Sequence, residues 1–201
     1  MAVLVLVRHG ESTANLANVF TGWLDVPLSP AGEAEARAVA DKLRGFHFAA
    51  AYSSDLVRAT RTLDIIVARR AWVAIPVHHA AALRERMYGD LQGLNKAETA
   101  LKYGQAQVDI WRRSYTVAPP GGESLQQTQA RAVPFLEAEI APQLRAGRNI
   151  LVVSHGNTLR GLRRYLEHLT SQQVESLEIA TGGIRAYELD AQLRILAMCD
   201  L

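Results

Sequence analysis

Two histidines in this chain share one setting. His9 follows the run Val3-Leu4-Val5-Leu6-Val7-Arg8, His155 follows Ile150-Leu151-Val152-Val153-Ser154, and a glycine comes after each. A neutral imidazole nitrogen is nucleophilic near pH 7, and a phosphoryl group needs beside its nucleophile a cradle of positive charge and N–H donors. Arg8 and Arg58 supply guanidiniums, whose planar fork matches phosphate oxygens. Glu85 stands between Arg84 and Arg86. Phosphate would repel a carboxylate, so a single Glu among arginines reads as a general acid or base for the alcohol oxygen. Each residue also has an ordinary structural reading, as a hydrogen-bonded histidine or a surface ion pair. The pattern acquires chemistry if the two apolar runs are neighbouring strands.

The elements around these residues fit that condition. Five apolar residues without polar alternation suit a strand covered on both faces, as in a parallel α/β sheet. In open α/β sheets ligands bind beyond the carboxyl ends of the strands, where Arg8, His9 and His155 fall. Ser29 before Pro30 reads as the cap of an amphipathic helix from Ala31 to Leu43, stopped at Gly45. Phe48–Tyr52 reads as a strand, with Ser53-Ser54-Asp55 capping a helix that carries Arg58, Leu63 and Ile66. Ala74–Val77 reads as a weak edge strand. From Met87 to about Gly122, glycines and prolines punctuate short helical pieces such as Asn95–Tyr103, an excursion read as a lid. A long helix from Gly122-Glu123-Ser124-Leu125 to about Leu144 is expected to bend or break at Pro134 and Pro142. Beyond the second histidine come a helix from Leu159 to Leu166 and a final strand pair, Gly183–Leu189 and Leu193–Met198, turning at Asp190-Ala191-Gln192.

Composition narrows the class. The chain has 201 residues, 49% hydrophobic and 21% charged, which suits one globular domain over 1–201 with the excursion at 87–122. No apolar run approaches the ~20 residues of a membrane span. Met1-Ala2 leads straight into a strand with no basic segment or cleavage site, so the expected compartment is cytoplasmic. Cys199 is the one cysteine, with neither a disulfide partner nor metal-ligand spacing. A net charge of +2 does not point to nucleic acid. The arginines cluster beside glycines and histidines, a pattern suited to a small anion.

Leu6-Val7-Arg8-His9-Gly10-Glu11-Ser12, Asn15, Phe20-Thr21-Gly22-Trp23, Leu28-Ser29, and Gly32 with Glu35-Ala36 resemble the histidine phosphatase superfamily. More narrowly, the stretches Glu85–Thr99, Trp111–Ser114, Gly122–Leu125 and Ser154–Gly161 are similar to the 2,3-bisphosphoglycerate-dependent phosphoglycerate mutases. The resemblance implies an α/β three-layer sandwich whose mostly parallel central sheet is flanked by helices. It implies that His9 is the phosphorylated nucleophile, that Arg8, Arg58 and His155 bind the transferred group, and that Glu85 exchanges protons with the substrate hydroxyl. Asn15, Thr21, Gly22 and Asn157 would line the pocket. Arg86, Tyr88, Lys96, Arg112 and Arg113 would hold the carboxylate and second phosphate of a phosphoglycerate. It further implies 2,3-bisphosphoglycerate as phosphoryl primer, no metal, small phosphoglycerates as partners and a possible homodimer.

Three departures from that family accompany the match. Met87 stands where histidine is usual, the Tyr115–Gly121 segment is short, and the chain ends at Leu201 without the usual tail. A thinner lid admits more water to a phosphohistidine, so raised phosphatase activity is expected. A broad phosphomonoesterase is therefore the alternative enzyme, and a phosphometabolite-binding module that has lost catalysis the non-enzymatic one.

Overall fold

The computed structural model describes residues 1–72 and 75–201. In chain order the first half carries β1 (Ala2–Arg8), α1 (Thr13–Leu16), α2 (Pro30–Lys42), β2 (Ala50–Ser53), α3 (Val57–Arg70) and β3 (Val77–His79). Next come α4 (Lys96–Tyr103), α5 (Gln105–Arg113), α6 (Leu125–Phe135) and α7 (Ala141–Arg145). The chain closes with β4 (Ile150–Ser154), α8 (Gly156–Leu166), α9 (Ser171–Ser176), β5 (Ile184–Leu189) and β6 (Ile195–Asp200). Ala74, placed in a strand from sequence, lies outside the described residues.

One six-stranded sheet runs in the order β3-β2-β4-β1-β5-β6. β3, β2, β4 and β1 pair parallel, whereas β5 runs antiparallel to both β1 and β6. The unbroken apolar run of β1 follows from cover on both faces. Leu4 and Leu6 join a core with Ala132, Leu136, Leu159 and Leu162 on one side, and Val5 and Val7 join Val39, Ala40, Leu63 and Ile66 on the other. A sheet between helix layers results, the three-layer α/β arrangement expected. Burying each Val or Leu fully contributes roughly 1.5–3 kcal/mol.

β1 and β4 are neighbours in register, with Arg8 opposite Ser154, so the two histidines leave the sheet side by side. The loop after β1 is then fixed from several directions. Ser12 and Asn15 form a capping box on α1, the Ser29 side chain caps α2, and the Ser29 hydroxyl donates to Glu11 at 2.6 Å. A Cβ on Gly10 would lie 2.2 Å from the Gly32 carbonyl oxygen, so the loop reaches the first turn of α2 only as glycine.

The excursion after Met87 is packed. Phe20 from the β1 loop forms a small core with Leu91, Val108 and Trp111, and its N–H donates to the Leu94 carbonyl at 2.9 Å. The lid reading thus falls on short helices joined to the loop beyond β1.

Several boundaries differ from the sequence reading. α3 begins after Leu56, and the Val57 N–H donates to Asp25 Oδ1 at 2.7 Å instead of to a local Ser cap. The capping group comes from a distant loop, so nothing local announces it. α8 starts at Gly156, not Leu159, with His155 in the cap position. β3 is Val77–His79, later than Ala74–Val77: Pro76 offers only its carbonyl, to the Ala51 N–H, and an exposed edge strand can carry two histidines. β6 starts at Ile195 because Leu193 holds a left-handed backbone, φ 63°, that a strand excludes. Pro134 sits inside α6. The break follows it as a π-helical turn over Leu136–Ile140, where the Ala141 N–H reaches back to the Leu136 carbonyl.

Candidate active site

The cleft lies beyond the carboxyl ends of β1 and β4, between the loop after β1, the first turns of α3 and α8, and the excursion. His9 is nearly inaccessible, and its ring centroid lies 4.9 Å from that of His155. Its Nδ1 meets the Gly10 carbonyl at 2.6 Å. A carbonyl only accepts, so Nδ1 carries the proton and Nε2 presents the lone pair. The Gly10 N–H donates to Thr62 Oγ1 at 3.1 Å, and that hydroxyl donates to the Arg58 carbonyl at 2.7 Å. The His9 turn is thereby stapled to α3.

Arg58 sits in the first turn of α3, 1% exposed, and donates to the carbonyls of Gly22 (2.7 Å) and Leu24 (2.9 Å). Burial pushes its pKa down to about 10, which leaves it cationic at neutral pH. Arg8 donates from Nη1 to the Ile179 carbonyl at 2.5 Å, and its buried Nε has no partner among the described residues. Burial, then the charges of Arg58 and Arg8, hold His9 well below the usual histidine pKa. His155 is depressed in the same direction, first by burial, then by Arg58, His9 and Arg8. Both imidazoles are neutral at physiological pH. His155 Nε2 meets Ser54 Oγ at 2.6 Å, and its Nδ1 is buried without a partner.

Glu85 faces the start of α8. Its Oε1 accepts from the Asn157 N–H at 3.1 Å and the Arg86 N–H at 2.7 Å. Oε2 is the freer oxygen, 3.5 Å from the Asn157 nitrogen. A Cβ added to Gly156 would stand 3.6 Å from Arg8 Nε and 3.8 Å from Glu85 Oε2, so a cationic donor and a proton-exchanging oxygen face the same small space. The Glu85 backbone is held as well. Its carbonyl accepts from Trp23 Nε1 at 2.7 Å and from Arg131 at 2.8 Å, and Arg131 also donates to the carbonyls of Ala82 and Arg84 while pairing with Glu123.

The far wall comes from the excursion and α8. Lys96, Arg112, Arg113 and Arg160 converge there with Tyr88 and Asn157. Burial lowers the Lys96 pKa and brings Arg160 to about 10. Burial alone would raise Tyr88; the Arg86 charge and the hydrogen bonds from Arg86 and Asn157 bring it below its ordinary value. Arg113 pairs with Glu178.

Of the fourteen positions singled out from sequence, twelve line this cleft: Arg8, His9, Asn15, Thr21, Gly22, Arg58, Glu85, Tyr88, Lys96, Arg112, Arg113 and Asn157. His155 is not in the lining; its ring packs beside that of His9. Arg86 stands outside the lining: it is fully buried, donating to the Tyr88 hydroxyl (2.9 Å) and the Arg112 carbonyl (2.6 Å), with Nε and Nη1 unpartnered among the described residues. The sequence reading passed over Arg160, Ser54, Arg131, Trp23 and Glu178. Arg160 had a signal: three residues after Asn157, it shares that residue's helix face. Arg131 and Ser54 act through contacts more than 40 positions away in the chain, and Glu178 lies in an irregular segment with no pattern.

Comparison with known proteins agrees with this geometry. The profile of the Histidine phosphatase superfamily (branch 1) matches residues 4–199. A protein from Cytophaga hutchinsonii named 2,3-bisphosphoglycerate-dependent phosphoglycerate mutase is 50% identical over 193 residues, 96% of this chain and 90% of its own. One of the same name from Nitrobacter winogradskyi is 48% identical over 201 residues, 99% of this chain and 97% of its own. An alignment that nearly exhausts both chains leaves no room for a long insertion at 115–121, so the short segment also occurs in a relative bearing the mutase name. Among solved structures, a mycobacterial glucosyl-3-phosphoglycerate phosphatase complexed with VO3 superposes with a TM-score of 0.81 at 30% identity, over 94% of this chain and 93% of that one. Bacillus stearothermophilus YhfR superposes at 0.84 with 26% identity, over 94% and 92%.

Proposed function

The chain belongs to the histidine phosphatase superfamily, branch 1, and from that premise we propose that it works as a 2,3-bisphosphoglycerate-dependent phosphoglycerate mutase, interconverting 3- and 2-phosphoglycerate. Relatives bearing that name at 48–50% identity over nearly the whole chain support the reading. The observation that carries it is the second group of cations. A pocket for a simple monoester needs positive charge at the nucleophile; this cleft adds Lys96, Arg112, Arg113 and Arg160 at the opposite wall, where a second anionic group would be held.

The residues fit the primer. 2,3-Bisphosphoglycerate, when bound, supplies the phosphoryl group that charges His9. The unpartnered Arg8 Nε and the far-wall cations match a ligand with anionic groups at both ends. The protein's steps are then these. His9 Nε2 bears the phosphoryl group, its Nδ1–H fixed on Gly10. The substrate hydroxyl oxygen attacks phosphorus, the N–P bond breaks, and Glu85 Oε2 takes the hydroxyl proton. Arg8 and Arg58 neutralise the transferring oxygens, and neutral His155, its Nδ1 unpartnered, supplies a hydrogen-bond donor, since phosphoryl transfer depends mainly on positioning and charge. After the doubly phosphorylated product turns in the cleft, His9 attacks the other phosphate, and Glu85 returns its proton to the departing oxygen. We place the activity in the cytoplasm; no helix among the described residues is long and apolar enough to cross a membrane.

The test is a product assay. Supplied with 3-phosphoglycerate and a trace of 2,3-bisphosphoglycerate, the protein should yield 2-phosphoglycerate far faster than inorganic phosphate. Inorganic phosphate as the sole product would replace the mutase reading with the phosphomonoesterase one.

A further inference from the structure

In an anion-binding cleft a carboxylate needs a task beyond anion binding, and among the described residues this lining has two, Glu85 and Glu178. Glu85 is engaged with the reacting end. Glu178 belongs to the segment between α9 and β5, and its partner is Arg113. Its side chain is 73% exposed and that of Arg113 35%. Ion pairs this exposed contribute little to stability, because water screens them and two long side chains must be immobilised. The backbone around it is nonetheless firmly held: the Leu177 carbonyl accepts from Arg160 Nε at 2.7 Å and the Ile179 carbonyl from Arg8 Nη1 at 2.5 Å. A carboxylate on a pinned base, with its oxygens in water and its partner in the cleft, is placed to compete with a ligand.

We propose that Glu178 is a specificity-determining residue that occupies Arg113 in the free protein and yields it only to ligands whose far end carries enough negative charge to displace it. The proposal rests on the phosphoglycerate reading and names how the far wall selects. Coulomb attraction scales with charge. A phosphate dianion at the far wall draws Arg113 about twice as strongly as the Glu178 carboxylate does, and a neutral end not at all. A phosphomonoester with a neutral tail therefore meets a wall already neutralised at Arg113. A doubly anionic ligand exchanges a water-exposed pair for a stronger one. Holding that end by competition also keeps the doubly phosphorylated species free to leave Arg113 and turn.

The variant Glu178→Gln removes the charge at nearly constant shape, and Glu178→Asp keeps it. For each, KM for 3-phosphoglycerate in the mutase assay and KM for hydrolysis of p-nitrophenyl phosphate, whose single phosphate must sit at His9 and whose far end is neutral, are measured at low and physiological salt. Glu178→Gln should lower KM for 3-phosphoglycerate about 3- to 10-fold at low salt, less at higher salt, and move KM for p-nitrophenyl phosphate by less than about 2-fold. Glu178→Asp should stay near wild type. An unchanged or raised KM, or equal shifts for both ligands, overturns the proposal. Should the wild-type protein form no 2-phosphoglycerate, the mutase reading fails instead, and KM values for hydrolysis of the same two compounds by the wild type and Glu178→Gln still decide the role of Glu178 by the same contrast.

Discussion

The two ends of the cleft are built differently. At the reacting end His9, His155 and Arg58 are almost without solvent exposure, and their anchoring contacts come from the loop after β1 and the β2–α3 turn. At the far end Arg112 and Arg113 are about a third exposed, project from α5, and meet carboxylates at the surface. Chemistry needs fixed atoms in a dry place, where electrostatic interactions are strong and require no rearrangement. Selection among related anions needs charges that can change partners, and exposed arginines on a peripheral element provide that.

Substitutions at the two ends should therefore differ in kind and size. His9→Ala removes the nucleophile and should lower mutase turnover by about 10⁵-fold or more, read in the isomerisation assay. Glu85→Gln should lower kcat on phosphoglycerate by about 10²- to 10⁴-fold, the usual range for a lost general acid or base. Its effect on p-nitrophenyl phosphate, whose leaving group needs no proton, should be far smaller; equal losses on both substrates would assign Glu85 a structural task. Arg112→Ala should raise KM for 3-phosphoglycerate about 10- to 50-fold and change kcat little, as expected for one charge-assisted contact. A kcat loss matching that of Glu85→Gln would erase the distinction between the ends.

A gentler contrast comes from pH. His9 and His155 both have depressed pKa values in the folded state, so the unfolded chain binds more protons once the pH falls through about 6.5. Each histidine then removes up to about 1.4 kcal/mol of stability per pH unit on acidification, and this contribution is fully present above that range. Urea unfolding between pH 7.5 and 5.5 should show the loss, and His9→Asn with His155→Asn should flatten it. An unchanged slope in that double variant would mean the histidines are not held neutral.

The reacting end was the more legible from sequence, and its architecture explains why. Strands covered on both faces leave unbroken apolar runs, and such runs end where His9 and His155 emerge; the glycine after each marks a backbone turn, and Gly10 a close approach to α2. Residues that act through distant partners leave no such trace. Asp25 caps a helix 32 positions later, Arg131 holds the Glu85 backbone from 46 positions away, and Ser54 meets His155 across 101. Arg86 shows the opposite case: its motif was plain, but the motif does not say whether the side chain lines the cleft or, as here, is buried outside the lining. Pro134, expected to bend or break its helix, is accommodated inside α6, and the irregularity falls in the π-turn just ahead of Pro142, the second proline expected to break it.

The central claim, that the strand tips orient His9 so that Nε2 receives the phosphoryl group, can be tested directly. The protein is incubated with 2,3-bisphosphoglycerate, quenched in alkali, where phosphohistidine survives, and examined by phosphorus NMR with peptide mapping. The account predicts phosphate on His9 at Nε2, lost in His9→Ala and retained in Arg112→Ala at saturating primer. Phosphate on His155, or on Nδ1 of His9, would contradict it.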